Sequence, residues 1–201
     1  EYGRDTKSVM WVSGPPLSKC KFTDGQPLYK KGVLVGYFPY RAPTTSFENS
    51  PSFVAWGNYL KAFMDYINSQ VPGWKVKIWG TWTEPHDPFL TQSEFVKNKK
   101  APLPEEIAEA ARAYADIVEF NYKIIKAKDP EAIIILDGPG SNYRDHPGSS
   151  EFFTKTLESL STRHHSGYFD VFNAHFYQKF NQNKANWAGE TPQDIRQLYL
   201  Q

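Results

Sequence analysis

The middle of the chain alternates between helical and extended spacing of its apolar residues. Across residues 52–71, large apolar side chains recur at three- and four-residue intervals, which predicts a helix with one buried stripe. The next stretch, 74–82, alternates apolar and polar positions and predicts a strand. A second helical stripe occupies 104–128 and begins with a proline, a residue suited to the first turn. The uniformly apolar run 132–136 is typical of a strand that is buried on both faces.

The same alternation continues toward the carboxyl terminus. Residues 151–161 have helical spacing, and Ser150 is the expected cap of that helix. Residues 169–177 (FDVFNAHFY) predict another strand, and Thr191 with Pro192 predicts the start of a final helix. Strands that alternate with helices in this way indicate βαβ units, and we expect 74–82, 132–136 and 169–177 to be adjacent parallel strands in that order.

The first fifty residues follow a different pattern. Two apolar runs, 8–13 and 33–38, predict strands, but the residues between them carry Gly, Pro, Lys and Asp without a period. No helix fits between these runs, so one of them is expected to belong to a hairpin or a loop excursion. We interpret 14–52 as a long loop region, apart from the run 33–38, that lines a cleft.

Two architectures satisfy a parallel sheet of this kind. One is an open doubly wound sheet, as in flavodoxin-like domains, and the other is part of a (β/α)₈ (TIM) barrel. The chain contains neither G-x-G-x-x-G nor G-x-x-x-x-G-K-[ST], which weighs against nucleotide binding. The α/β class, with a single domain over residues 1–201, follows from the pattern, and the choice between the two architectures does not.

Composition says more about the binding partners of the protein than about its fold. Lys and Arg total 23 and Asp and Glu total 22, so the net charge of +1 gives no electrostatic reason to expect nucleic acid or a membrane surface as partner. No apolar stretch is long enough to span a membrane, and no cofactor motif is present. Aromatic residues reach 16%, and such side chains form cores but also stack on sugar rings.

Polar side chains follow the strands where parallel α/β proteins collect their function, at the carboxyl ends. The strand 74–82 leads into Thr83, Glu84 and His86, and the strand 169–177 ends with His175 and Tyr177. A carboxylic acid with aromatic neighbours suits glycoside hydrolysis, in which one carboxyl group protonates the leaving oxygen. Simpler interpretations remain open, because Glu84 alone could be a solvated carboxylate and His175 or Tyr177 could be packing residues.

Three passages resemble a known enzyme group. WGTWTEP (79–85) resembles the fourth strand of the retaining (β/α)₈-barrel glycoside hydrolase clan, which ends in Asn-Glu-Pro. YADIVEFNYKIIKAKDPEAIIILDGPGS (114–141) resembles the helix and fifth strand of its β-xylosidase and α-L-iduronidase family. FDVFNAHFY resembles the sixth strand. The resemblance covers roughly residues 53–201 and implies a partial barrel that contains about strands three to six with their helices.

The resemblance also implies roles for particular residues. Glu84 matches the general acid/base, and His175 and Tyr177 match positions that line the sugar site. Trp82, Thr83 and His86 beside Glu84 are expected to contact substrate as well. Thr83 stands where the clan has Asn, and its shorter side chain leaves the identity of the sugar open.

The clan's nucleophile is a Glu at the end of the seventh strand, which we expect beyond Gln201. Glu190, which precedes the final helix in a loop, is not expected to replace it. The remainder of the barrel is therefore an expected partner, supplied by a continuation of the chain or by another chain. His86 and Asp87 are an adjacent pair without further ligands, so no metal site is predicted.

Two classes of function follow. The first is a secreted or periplasmic retaining glycosidase that cleaves a β-linked oligo- or polysaccharide by double displacement and uses no cofactor. The second is a non-catalytic carbohydrate-binding or structural protein that keeps a glycosidase-like barrel. A carboxylate about 5 to 5.5 Å from that of Glu84 would favour the first, and an apolar residue in its place would favour the second.

Overall fold

The structure is a computed structural model, and it describes residues 9–12, 24–30, 33–70, 75–91, 101–138, 147–165, 167–173, 179–180 and 187–188. Within these ranges it is a mixed α/β fold. The strands are β1 (Val9–Val12), β2 (Gln26–Lys30), β3 (Val33–Phe38), β4 (Ile78–Thr81), β5 (Ile133–Asp137), β6 (Val171–Asn173), β7 (Lys179–Phe180) and β8 (Trp187–Ala188). The α-helices are α1 (Pro51–Gln70), α2 (Pro104–Lys128) and α3 (Ser149–Arg163).

The main sheet has four parallel strands in the order β1-β4-β5-β6. Each of its strands therefore pairs with the strand of this sheet that comes next in the sequence. The predicted adjacency of the strands around 78–81, 133–137 and 171–173 is confirmed. Strand β4 is shorter than the predicted 74–82, and of the predicted 169–177 the residues 174–178 lie outside the described part.

Strands β2 and β3 form a separate sheet. Strands β2 and β3 pair antiparallel as a hairpin, with a register irregularity between Leu28 and Tyr29. The expectation of a hairpin excursion is thus confirmed, whereas the interpretation of 14–32 as loop is wrong for Gln26–Lys30. That segment contains Pro27 and two polar residues, and it becomes a strand because its partner β3 supplies the pairing.

Helix boundaries follow local signals in most places. Helix α2 spans the predicted 104–128; Pro104 stands at its first position, and the Glu106 carboxylate accepts a hydrogen bond from the Leu103 N–H at 2.8 Å. Helix α3 begins earlier than predicted, because its N-cap is Gly148 and not Ser150. Gly148 has φ +83°, a conformation that glycine adopts without strain.

All three helices cover the same face of the sheet. Trp79 of β4 and Ile134 of β5 are neighbours in register, are fully buried, and belong to one apolar cluster with residues of α1 and α2. Leu136 joins a second cluster with α2 and α3. Because Leu136 lies two residues after Ile134 in a strand, both point to the same side, and the helices therefore form one layer.

The opposite face of the sheet is less covered. Ile78, Ile133 and Ile135 point to that side and are partly exposed, and Val171, the partner of Ile135, is 44% exposed. The prediction that 132–136 is buried on both faces is therefore wrong for one face. The alternate residues Ile134 and Leu136 are the ones that are fully buried.

A network of charged side chains connects the helix layer to the segment before α1. The Asp116 carboxylate, buried on α2, accepts hydrogen bonds from Arg41 at 2.7 Å, Arg112 at 2.7 Å and Arg163 at 2.6 Å. Arg163, the last residue of α3, also donates to Glu119 at 2.9 Å. One buried carboxylate thus joins α2, α3 and the residues that follow β3.

Candidate active site

The carboxyl ends of β4, β5 and β6 lie side by side, as the parallel register requires. Thr81 is level with Leu136, and Asp137 is level with Asn173. The chain leaves β4 as Trp82-Thr83-Glu84 and then enters a turn, in which the Asp87 N–H donates to the Glu84 carbonyl at 3.1 Å. The chain then continues into a π-helical turn at Asp87–Thr91. The Glu84 segment therefore lies at the edge of the sheet where α/β enzymes bind substrates.

Glu84 occupies an unusual backbone conformation. Its φ is +46°, and that of Trp82 is +63°, so two non-glycine residues within three positions are in the left-handed region. Such conformations cost on the order of 1 to 3 kcal/mol each and persist only where the surroundings enforce them. Backbone strain of this kind clusters at functional sites. Here it affects Glu84, the predicted acid/base residue, and Trp82, two positions before it.

Asp137 supplies part of that enforcement. Its Oδ2 accepts a hydrogen bond from the Glu84 N–H at 2.7 Å, and its Oδ1 accepts one from Asn173 Nδ2 at 2.7 Å. The Asp137 side chain is fully buried. Because this buried side chain contacts the Glu84 N–H and the Asn173 amide at once, it anchors the Glu84 backbone at the end of β5.

The site is supported from the helix layer by Tyr114 of α2. Its hydroxyl lies 3.1 Å from the Thr81 carbonyl and 3.2 Å from the Asp137 carbonyl, and so contacts the ends of two strands. Burial, together with the nearby Asp137, raises the pKa of Tyr114 well above its ordinary value. Tyr114 therefore keeps its proton as a structural hydrogen-bond donor.

Gly138, the residue after Asp137, has no space for a side chain. A Cβ built there would lie 2.5 Å from the Phe172 ring and 2.6 Å from the Asn173 carbonyl. Its N–H donates to that same carbonyl at 2.7 Å. Glycine thus allows β6 to approach closely enough for Asn173 to reach Asp137.

The predicted substrate-contacting residues are placed unequally. Thr83 is exposed and Glu84 is half-buried, whereas Trp82 and His86 are 4% and 1% exposed. The Trp82 ring packs edge-on against Phe89, with centroids 5.3 Å apart. Thr83 and Glu84 are therefore the two of these four that solvent reaches most readily. His175, Tyr177 and Glu190 lie outside the described residues.

Two residues of this site were not predicted as functional: Asp137 and Asn173. Asp137 carried a usable signal, because it directly follows the apolar run 132–136 and strand ends collect functional side chains. Asn173 carried none, because it lies inside a predicted strand and its position beside Asp137 depends on the register between β5 and β6.

No group of three or more His, Cys, Asp or Glu side chains within the described ranges has an arrangement that could hold a metal ion. None of the helices in the described part of the chain combines the length and apolar character that a membrane span requires.

Comparison with known proteins found no family model that matches the chain, and no similar protein among curated sequences or solved structures.

Proposed function

We propose that this chain belongs to a retaining glycoside hydrolase that cleaves a β-linked oligo- or polysaccharide, with Glu84 as its general acid/base. The observation that carries the proposal is the placement of Glu84. It is a half-buried carboxylate at the carboxyl end of a central parallel strand, in a left-handed conformation anchored by a buried aspartate.

The sheet topology supports a barrel as the parent architecture. Four parallel strands in sequential order, with three helices on one face, are what a segment of a (β/α)₈ barrel would contain. A doubly wound sheet reverses its strand order at a switch point and carries helices on both faces. Under this proposal the partly exposed face with Ile133, Ile135 and Val171 is the interior of the barrel.

The reaction would use Glu84 twice. Its carboxylic acid first protonates the oxygen of the leaving sugar, while a second carboxylate attacks the anomeric carbon. The Glu84 carboxylate then removes a proton from the water that hydrolyses the glycosyl–enzyme intermediate. We assign the attacking carboxylate to a residue outside the described ranges, because the Asp137 side chain is fully buried and already holds the Glu84 N–H and the Asn173 amide.

The exposed Thr83 next to Glu84 bears on specificity. Its hydroxyl can donate one hydrogen bond to a sugar hydroxyl near the reacting carbon. The proposal includes a secreted or periplasmic location.

The test is the substitution Glu84→Gln in the full-length polypeptide that the gene encodes. Loss of general acid catalysis should reduce glycosylation by about 10²- to 10⁴-fold for substrates with poor leaving groups. Aryl glycosides with activated leaving groups need little protonation, so their glycosylation step should change much less. Pre-steady-state release of the aryl group measures that step directly.

The matched control is Glu131→Gln. Glu131 is an exposed glutamate at the amino end of β5, and its loss should leave both substrate classes unaffected. An equal loss on both classes in the glycosylation step of Glu84→Gln would contradict the acid/base role. A wild-type protein that binds oligosaccharides but releases no product would instead support the non-catalytic carbohydrate-binding alternative.

A further inference from the structure

We infer that Asp137 is a positioning residue for the acid/base, and that the relay Asn173–Asp137–Glu84 sets where the Glu84 carboxyl group points. This inference rests on the proposed function, because it assigns a cause to the geometry of the residue proposed to transfer the proton. The relay links the carboxyl ends of three neighbouring strands through two hydrogen bonds of 2.7 Å.

The backbone conformation of Glu84 depends on the group that accepts its N–H. A residue with a Cβ at φ +46° lies in a region that L-amino acids disfavour, so the peptide before it relaxes unless another group holds its N–H. Asp137 Oδ2 accepts that N–H. Since φ rotates the Cα–Cβ bond about the N–Cα bond, release of the N–H would redirect the whole Glu84 side chain.

The orientation of the Asp137 carboxyl group is fixed by a second hydrogen bond. A carboxylate with one contact can rotate, but Asp137 has a second contact through Oδ1 to Asn173 Nδ2. Its own backbone carbonyl accepts from the Tyr114 hydroxyl at 3.2 Å. The carboxylate is therefore held from β6, the backbone that carries it is held from α2, and Oδ2 accepts from Glu84.

Asp137 would position Glu84 without contacting the substrate. The Asp137 side chain is fully buried and its oxygens accept hydrogen bonds from protein groups, so it is not exposed to a sugar. Its effect on the reaction would pass through Glu84. A misplacement of about 1 Å in a catalytic group costs roughly 10²-fold in rate, which sets the scale for loss of the relay.

The experiment compares Asp137→Ala with Asp137→Asn in the full-length polypeptide, using aryl glycosides with poor and activated leaving groups. Asp137→Ala removes the acceptor, and we expect a loss of at least about 10-fold in kcat for poor leaving groups, with KM little changed. Asp137→Asn keeps one acceptor oxygen for Glu84 if the Asn173 amide turns over, so most of the activity should be restored.

The matched control is Asp170→Ala. Asp170 also accepts a backbone N–H from the neighbouring strand, that of Ile134 at 2.8 Å, but at the amino end of the sheet. Its loss should lower stability without any dependence on the leaving group. A loss in Asp137→Ala that is equal for both substrate classes would overturn the positioning role and leave a structural one.

A double-mutant cycle distinguishes failure of this inference from failure of the proposed function. If Asp137 acts through Glu84, Asp137→Ala should add little to the loss already caused by Glu84→Gln. Full additivity would overturn the inference while the acid/base role stands. Glu84→Gln without a leaving-group-dependent loss would remove the proposed function and this inference together.

A second substitution tests the relay in case Asp137→Ala does not fold. Asn173→Ala leaves Asp137 in place but frees its Oδ1, so a smaller loss with the same leaving-group dependence is expected. If Asp137→Ala does not fold, this variant decides the question, and unchanged kinetics in Asn173→Ala would overturn the relay.

Discussion

The two faces of the main sheet are built from similar residues and are treated differently by the fold. On the helix side, Trp79, Ile134 and Leu136 have at most 1% of their surface exposed. On the other side, Ile133 and Ile135 are partly exposed and Val171 is 44% exposed. Residues 133–135 are three consecutive isoleucines, so the difference comes from the position in the strand and not from the amino acid.

This difference shows which side of the sheet carries the stability of the described structure. The helix side combines apolar clusters with the Asp116 network, which joins α2, α3 and Arg41. The open side displays the β-branched residues Ile133, Ile135 and Val171, which are suited to a strand surface. The following experiments test the contrast, starting with the largest expected effect.

The pair Ile134→Ala and Ile135→Ala measures the contrast directly. Both substitutions remove the same atoms from adjacent positions of β5. Ile134 is fully buried, so its truncation should lower the free energy of unfolding by about 2 to 5 kcal/mol. Ile135 is partly exposed, and we expect a loss of about 1 kcal/mol. Urea unfolding of both variants checks this, and equal losses would mean that the two faces are equally covered in solution.

Acidification should weaken the helix side selectively. Burial acts to raise the pKa of Glu119, but the hydrogen bonds from Lys123 and Arg163 outweigh it and lower the pKa below its ordinary value. A carboxylate with a lowered pKa in the folded state stabilises the fold above its unfolded pKa, near 4.5, and this contribution is lost as the pH falls through the folded pKa. Unfolding free energies measured from pH 7 downward should therefore decline below about pH 4.5.

The variant Glu119→Gln should flatten part of that decline, whereas Glu131→Gln, at an exposed site, should not. Ile135→Ala should shift the whole curve without changing its shape, because the open face contributes only apolar groups at that position. A pH dependence that is unchanged in Glu119→Gln would show that this carboxylate does not contribute to the loss of stability at low pH.

The smallest effect is expected at Val171→Thr. Thr has nearly the shape of Val and a similar preference for strands, and its hydroxyl can reach solvent where Val171 is 44% exposed. The change in unfolding free energy should stay within about 0.5 kcal/mol. A loss well above 1 kcal/mol would indicate that this position is covered in solution.

The sequence predicted those features that depend on local signals. Helix α2 was predicted from its apolar period and from Pro104 at its start, and the parallel order followed from single helices between strands. The strand β2 was missed because its residues favour loops and only its pairing with β3 makes it extended. The cap of α3 was misassigned to Ser150, because the helix begins earlier and Gly148, in the left-handed conformation, is its N-cap.

At the candidate site the sequence placed Glu84 at the end of a strand but could not predict its conformation. A positive φ at a glutamate has no residue-level signal, and one group that stabilises it, Asp137, lies 53 positions away in the sequence. The burial of Trp82 and His86 likewise depends on tertiary packing: Trp82 contacts Phe89 of the turn that follows, and His86 contacts Phe153 of α3, 67 positions away.

The sequential strand order also has a kinetic consequence. The connection from β5 to β6 spans residues 138–170, and the one from β1 to β4 spans 13–77, about twice as many. Each doubling of a flexible loop adds about 0.6 kcal/mol to the entropic cost of closing it. Pairing of β5 with β6 around α3 is therefore the cheapest contact between strands of this sheet, while β1 has the longest closure. We expect the sheet to assemble from its β5–β6 side, with β1 added last.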